Sequence, residues 1–358
     1  MKHLQSFVYV STAYSNCDRK HIEEKFYKPV LSDEETVTLL ENSERYELAL
    51  ILPHILDRKP NTYIFTKTIC EDLVRQTHHL PIVVVRPSIV MPTLAEPYSY
   101  YSNDKNSLLG LMGGGGIGLI RVGCVLPNVK VDLVPADATV NCILAAGWHR
   151  AVTPEAVPRI YNCVGYESEV KLEKFLDTNM DNLKESKEAV DIVLWLPHSV
   201  RVQNTFLLFL LYYVLHVLPG IFFSLVERYQ NRKPMIMKVY RKFFFLEKII
   251  RYFAFTEWSF NNDNTRSLLH QLNSKDQELF NFDMANVDWF NSYSSVLYRC
   301  ICIYALKAHD SYPKELYKRK MKYIGPIDKT IIWGFRMGVV YFCYRIICNV
   351  FSSLVFST

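Results

Sequence analysis

The sequence holds no C-x-x-C pair, no N-x-S/T sequon and no lysine and arginine run of the kind that tracks phosphate backbones. Its nine cysteines, at 17, 70, 124, 142, 163, 300, 302, 343 and 348, are an odd number at scattered spacings, so neither a disulfide framework nor a zinc site is indicated and no metal is expected. That usage, with the missing sequon, places the catalytic part in a reducing, cytosolic setting. The net charge is only +5 over 358 residues and is spread along the chain, which argues against nucleic acid as a partner. No charged n-region with a cleavable apolar stretch precedes FVYVSTAY at positions 7 to 14, so a secretory signal is not expected. Internal repeats and low-complexity linkers are also missing.

What is present is apolar enough, at 49% hydrophobic residues, to bury a full core and to form two units rather than one. Up to about residue 165 short apolar runs alternate with helical periodicity, the pattern of an α/β unit with a parallel sheet. FVYV at 7 to 10 and IVVVR at 82 to 86 read as strands, with a helix from Tyr63 to about His79 between them. KVDLV at 130 to 134 and RIYNCV at 159 to 164 are further strand candidates. The acidic insert SDEETVTLLENSERYELAL reads as a pair of surface helices. Beyond about 166 the sequence turns helical and aromatic. Residues 206 to 226 form an uncharged run of 21, long enough to cross a hydrocarbon core of roughly 30 Å. Pro219-Gly220 inside it suits a kink, the turn of a helical hairpin in one leaflet, or a buried helix pair. The excess of Lys and Arg from 228 to 251 suits the cytosolic side of a membrane. A second apolar zone, 331 to 358, is broken by Arg336 and Arg345 and suits an interfacial helix or a tilted span.

The motif with most chemistry is Tyr63-Ile-Phe-Thr-Lys67. On a helix, positions i and i+4 share a face, so a phenol and an ammonium can point into one cleft, where the lysine is expected to lower the phenol pKa and make it a proton donor. By itself Y-x-x-x-K is a weak signal; its setting strengthens it. The first strand ends in Ser11-Thr12-Ala13-Tyr14 and the second in Arg86-Pro87-Ser88, both at carboxyl ends, where a parallel sheet faces its ligand. A hydroxyl at Thr12 or Ser11 can bind the substrate oxygen beside Tyr63. Other features read as structural. Gly113-Gly114-Gly115-Gly116-Ile117-Gly118 imitates a dinucleotide fingerprint but follows the Tyr/Lys helix, so a flexible segment near the substrate mouth is expected rather than a phosphate loop. His78-His79 ends a helix, Asp137 is expected to cap one, and Glu257, Trp258, Asp288 and Trp289 are assigned to packing.

The order strand-S/T, helix-YxxxK, strand-RPS resembles the extended short-chain dehydrogenase/reductase superfamily. VSTAYSN at 10 to 16, PNTYIFTK, VVRPSIV at 84 to 90 and VDLVPADATVN at 131 to 141 are together similar to the reductase domain of the alcohol-forming fatty acyl-CoA reductases. LPG at 218 to 220, KVYRKFF at 238 to 244, RYFAFTEWSFNNDN at 251 to 264 and FNFDMANVDWFNSY at 280 to 293 are similar to that family's C-terminal domain, so the likeness runs over nearly the whole chain. The resemblance implies NADPH-dependent reduction of a long-chain fatty acyl-CoA to the alcohol through an aldehyde, with release of CoA. Tyr63 is then the acid, Lys67 its activator and the orienter of the nicotinamide ribose, and Thr12 (Ser11 in reserve) the oxygen-binding hydroxyl. Pro87, Ser88 and Ile89 lie along the nicotinamide. It also implies an α/β fold: an incomplete Rossmann-like parallel sheet over 1–195, a mostly α-helical, membrane-associated C-terminal domain over 196–322, and an apolar membrane segment over 323–358. The family's G-x-x-G-x-x-G turn finds no counterpart, so the chain is expected to start inside the cofactor domain and to bind NADPH poorly without that turn. The expected partners are acyl-CoA and the membrane of the endoplasmic reticulum or peroxisome, with the catalytic part facing the cytosol; nothing supports oligomerisation. Two rivals stand beside this reading: a non-catalytic membrane protein that binds lipid or a partner, and an extended reductase of the sterol or sugar-nucleotide type.

Overall fold

The computed structural model describes residues 3–56, 58–102, 108–165, 168–185, 195–196, 199–305 and 322–330, with 333–334, 337–338, 341 and 344–345 beyond. In chain order the first part runs β1 (Phe7–Val10), β2 (His21–Ile22), α1 (Asp33–Asn42), α2 (Arg45–Leu56), α3 (Thr62–Gln76), β3 (Ile82–Pro87), β4 (Ile89–Met91) and α4 (Leu108–Gly116). Next come β5 (Val122–Cys124), β6 (Leu133–Pro135), α5 (Ala136–Val152), β7 (Ile160–Cys163), α6 (Leu172–Glu185) and β8 (Val200–Val202). The chain continues as α7 (Thr205–Tyr212), α8 (Leu218–Tyr229), α9 (Ile236–Ala254), β9 (Ser259–Phe260), α10 (Asp263–Gln271), α11 (Ser274–Leu279) and α12 (Ser292–Cys300). The apolar zone 331 to 358 lies almost wholly outside the described residues.

The central sheet is parallel in the order β1-β3-β7, with Phe7 opposite Ile82 and Val84 opposite Ile160. β3 is buried at every position and its β-branched run fits a strand covered on both faces. β1 forms one edge of this sheet among the described residues, as expected for FVYV. The expected strand at 130 to 134 is shortened: β6 covers only Leu133–Pro135 and pairs with β4, not with the central sheet. The chain leaves the central sheet at Ser88, whose amide donates to the Cys163 carbonyl at 3.1 Å, and at Ile89 it joins β6. The acidic insert forms α1 and α2, neither with a buried residue; α1 opens on a capping box between Ser32 and Glu35.

One glycine reading is corrected and another is narrowed. The Gly113–Gly118 run is not a flexible segment: Gly113 to Gly116 close α4, with Gly113, Gly114 and Gly115 buried. Gly118 then sits at φ +70°, and an added Cβ would come within 2.5 Å of the Trp195 backbone, so the run ends in a left-handed turn that demands glycine. Pro219-Gly220 makes no hairpin. Thr205–Tyr229 is one helical stretch of 25 residues, with a wide π turn at Tyr213–Val217. Upstream loosening of this kind accommodates Pro219 in the first turn of α8. Gly220 serves close packing: an added Cβ would meet Met237 Sδ at 2.7 Å and the Tyr240 ring at 3.0 Å on α9.

The later helices do not form a separate core. Met91, Leu109 and Leu133 are buried together with Tyr293, Leu297 and Ile301, while Val83 and Val85 share a cluster with Leu268 and Phe282. Short parallel pairs β2-β9 and β5-β8 stitch the two parts together.

Candidate active site

Asn61 caps α3 by accepting the Ile64 amide at 2.9 Å, which sets the helix start so that Tyr63 lies in its first turn. Tyr63 is 55% exposed, and Lys67, one turn on, is half-buried. The Lys67 Nζ donates to the Val10 carbonyl at 2.8 Å and stands 5.9 Å from the centre of the Tyr63 ring and 5.4 Å from that of Tyr9. The lysine therefore anchors α3 to the carboxyl end of β1. One electrostatic expectation changes here. The ammonium stands off the ring and bonds a carbonyl, so burial governs the phenol and pushes the Tyr63 pKa up rather than down.

Thr12 and Ser11 part company. The Thr12 hydroxyl caps a single 3-10 turn by accepting the Tyr14 amide at 3.3 Å, and it reaches the Pro87 carbonyl at 3.5 Å. Ser11 Oγ donates to Glu71 Oε1 at 2.5 Å, and Ser15 Oγ donates to the same oxygen at 2.9 Å. Arg86 completes that group: its Nε reaches Glu71 Oε1 at 2.9 Å and Nη2 reaches Oε2 at 2.5 Å. Arg86 is fully buried and also donates to the Glu23 and Lys25 carbonyls, each at 3.1 Å. Ser11 is thus committed to a buried ion-pair network, and Thr12 is the hydroxyl whose bonds are loose. Sequence reading missed Glu71. The signal was available: an arginine inside an otherwise apolar strand requires a buried anion, and Glu71 continues the i, i+4 series of Tyr63 and Lys67.

Ser88 is buried and faces the Asp132 carboxyl, which also accepts the Gly165 amide at 2.8 Å. Burial raises Asp132 to about 6. Thr12, Lys67 and Pro87-Ser88 so gather where β1 and β3 end, with Tyr63 beside them; Ile89 begins β4, one residue further on. Asp137, in the first turn of α5, does not cap that helix. Its carboxylate accepts the amides of Leu94, Ala95 and Glu96 at 3.0, 2.7 and 3.1 Å, and so clamps the loop that follows β4. His78 and His79 lie just beyond the end of α3. Trp258 and Trp289 are buried in packing as expected, whereas Asp288 is exposed and caps the start of α12 through the amides of Asn291 and Ser292.

Two sequence profiles described as male sterility protein match residues 1–143 and 215–308, covering both ends of this constellation and the helices packed behind it. The chain belongs to the male sterility protein family. Among curated relatives, it is 33% identical over 318 residues to "Fatty acyl-CoA reductase wat" of Drosophila melanogaster, covering 88% of this chain and 61% of that one. It is 31% identical over 300 residues to "Fatty acyl-CoA reductase 1" of Xenopus laevis and of Homo sapiens, covering 81% of this chain and 56% of each. The chain therefore spans between half and two thirds of the length of these family members. A solved reductase domain from the myxalamid pathway matches with a TM-score of 0.43 at 13% identity, over 83% of this chain and 57% of that one, a distance at which it carries no weight.

Proposed function

We propose that the chain supplies the proton-transfer side of an NADPH-dependent reduction of long-chain fatty acyl-CoA to the fatty alcohol, through the aldehyde and with release of CoA. The observation that carries this reading is the meeting of Thr12, Tyr63, Lys67 and Pro87-Ser88 at the carboxyl ends of two adjacent parallel strands, where an open parallel sheet takes its ligand. Membership of a family whose curated relatives are named fatty acyl-CoA reductases supports it.

The residues present fit the nicotinamide end of the cofactor. Lys67 spends one of three donors on Val10 and keeps the others for ribose hydroxyls, and the Pro87-Ser88-Ile89 segment borders the same strand end. When bound, NADPH supplies the hydride that adds to the carbonyl carbon. Tyr63 gives its phenolic proton to the substrate oxygen, and Thr12 turns its hydroxyl from the 3.5 Å contact with Pro87 to that same oxygen. A phenol held up by burial is fully protonated near neutral pH, so it starts each cycle loaded. The first reduction yields a hemithioacetal that expels CoA as the thiol, and the second turns the aldehyde into the alcohol.

The membrane part of the reading rests on the helix from 205 to 229. One face, with Leu208, Leu211 and Leu215, packs on β5 and β8, while the other turns Phe206, Leu218, Phe222 and Leu225 outward. Arg232, Lys233, Lys238 and Arg241 are exposed nearby, a charge pattern that suits an anionic lipid surface at the endoplasmic reticulum or peroxisome with the reductase part on the cytosolic side.

The test is a chimera in which this chain replaces the matched region of the Drosophila relative. Tyr63→Phe is expected to lower hexadecanol formation from palmitoyl-CoA by about 100-fold or more, the scale of a lost general acid, with KM for palmitoyl-CoA little changed. Unaltered turnover would remove Tyr63 from the chemistry.

A further inference from the structure

Glu71 binds more than its ion-pair partner. Its Oε1 accepts Ser11 Oγ at 2.5 Å, Ser15 Oγ at 2.9 Å and Arg86 Nε at 2.9 Å, and its Oε2 accepts Arg86 Nη2 at 2.5 Å. Each partner adjoins a part of the candidate site. Ser11 immediately precedes Thr12, and Ser15 lies in the 3-10 turn that Thr12 caps, its amide donating to the Thr12 carbonyl at 3.0 Å. Arg86 immediately precedes Pro87, whose carbonyl takes the Thr12 hydroxyl at 3.5 Å. Glu71 itself shares a face of α3 with Tyr63 and Lys67. One carboxylate thus joins three elements, and it holds the residues next to both partners of the Thr12–Pro87 contact.

The backbone does not set this spacing by itself. The register of β1 on β3 ends with Val10 opposite Val85, while Pro87 is held on its other side, opposite Cys163 of β7. Lys67 and Thr68 fasten the segment after β1 to α3, at the Val10 carbonyl (2.8 Å) and the Ser15 carbonyl (2.5 Å). Glu71 then ties that segment and its helix to the end of β3 through Arg86. A buried ion pair is often no more stabilising than apolar side chains of the same volume, whereas a two-bond guanidinium–carboxylate contact fixes direction as well as distance. Glu71 and Arg86, 3% and 0% exposed, are suited to holding a geometry and not to meeting a substrate.

We propose that Glu71 is a positioning residue of the reductase site: by holding Ser11, Ser15 and Arg86 on one carboxylate it sets the Thr12 hydroxyl against Tyr63 and Pro87-Ser88. The inference rests on the reductase reading of Thr12 and goes beyond it, because Glu71 acts through its neighbours and not on the reacting atoms.

Turnover of palmitoyl-CoA by the chimera with the Drosophila relative tests it. Glu71→Gln is expected to lower kcat by about 100-fold with KM unchanged, the scale of a small misplacement of a reacting group. Ser15→Ala keeps the Glu71–Arg86 pair, is expected to lower kcat by about tenfold, and carries the test if Glu71→Gln fails to fold. In a Thr12→Ala background neither change should lower kcat further, since no hydroxyl is left to place, whereas a general loosening of the fold would lower both backgrounds alike. The unmodified chain supplies a readout without turnover. The Tyr14 amide donates to Thr12 Oγ1, and its hydrogen exchange is expected to quicken about tenfold in Ser15→Ala while β3 amides exchange as in wild type. Turnover that survives Tyr63→Phe would remove Tyr63 from the chemistry without touching either comparison, so the two failures are told apart. A Ser15→Ala protein with wild-type kcat, an equal loss in the Thr12→Ala background, or unchanged Tyr14 exchange would overturn the proposal.

Discussion

Asp132 and Glu71 are both buried carboxyls beside the candidate site, and their surroundings treat them in opposite ways. Asp132 lies beside Ser88 and accepts the Gly165 amide, and burial raises it from 3.8 to about 6 against the opposing pull of Lys130. A carboxyl raised on folding contributes stability that is fully present below its unfolded value and is lost as pH rises through 6. Asp132→Asn, which keeps an acceptor for Gly165 and cannot ionise, is therefore expected to match wild type near pH 4 and exceed it above pH 6, by up to about 3 kcal/mol. Thermal melts from pH 4 to 8 check this, and a constant offset between the two proteins would contradict it. Glu71 instead faces the fully buried Arg86 and two serine hydroxyls. Removing the anion leaves an unpaired guanidinium in the core, so Glu71→Gln is expected to cost about 3 kcal/mol or more in denaturant unfolding. Ser11→Ala removes only one of the bonds to Glu71 and should cost about 1 kcal/mol.

Among the elements, α4 and the helical stretch from 205 to 229 depend most on backbone detail. The left-handed turn at Gly118 places Trp195 against the end of α4, where the Trp195 amide donates to the Ile117 carbonyl at 3.1 Å. Gly118→Ala combines a strained φ with a clash against the Trp195 backbone and is expected to lower stability by at least about 1 kcal/mol, read as a lower melting temperature. The stretch from 205 to 229 combines a protein-facing stripe with an outward apolar stripe that includes Phe206 at 77% exposure and ends at Tyr229, 90% exposed. Its outward stripe predicts co-flotation with vesicles of phosphatidylcholine and phosphatidylserine, weakened when Phe206, Phe222 and Leu225 are changed together to Ser. Those side chains make little contact with the core, so the triple variant should stay folded. Its failure to fold, or unchanged flotation, would count against this face as the lipid contact.

At the scale of the molecule, the early α/β part and the later helices share their cores. Tyr14 meets Phe253, Trp258 and Phe260 edge-on at 5.3 to 5.5 Å, and Trp258 Nε1 donates to the Cys17 carbonyl at 3.0 Å. Glu24 accepts amides from Asn162 on β7 and from Asn264 and Thr265 on α10, so one half-buried carboxyl joins the central sheet to the helices behind it. Residues 1–195 produced alone would expose Met91, Leu133 and Val85 where Tyr293, Leu297 and Leu268 now cover them. That fragment is expected to be aggregated or unfolded, whereas the full chain should lose near-ultraviolet circular dichroism in one cooperative transition. A soluble fragment with native-like dichroism would show that the α/β part holds its own core.

The sequence by itself determined the local elements and the chemistry they offer, because both depend on short-range rules. Strand periodicity fixed FVYV and IVVVR, the i, i+4 spacing put Tyr63 and Lys67 on one face, and the insert reads as surface helices because it is polar and acidic. Its motifs also led to the right family. What they could not carry were the partners across the fold. That Lys67 bonds Val10 rather than bearing on the Tyr63 phenol, that Ser11 is taken by Glu71, and that Asp137 clamps a loop instead of capping its helix depend on residues 41 to 60 positions away. The glycine run was misjudged for the same reason, and the choice among the readings open at Pro219-Gly220 was decided by it. Local propensity favours a break at both, and packing against Ile120, Met180, Met237 and Tyr240 outweighs it. Only the tertiary structure could decide that Glu247, one more charged residue on a basic helix by sequence, is buried, since burial depends on every element that closes around it.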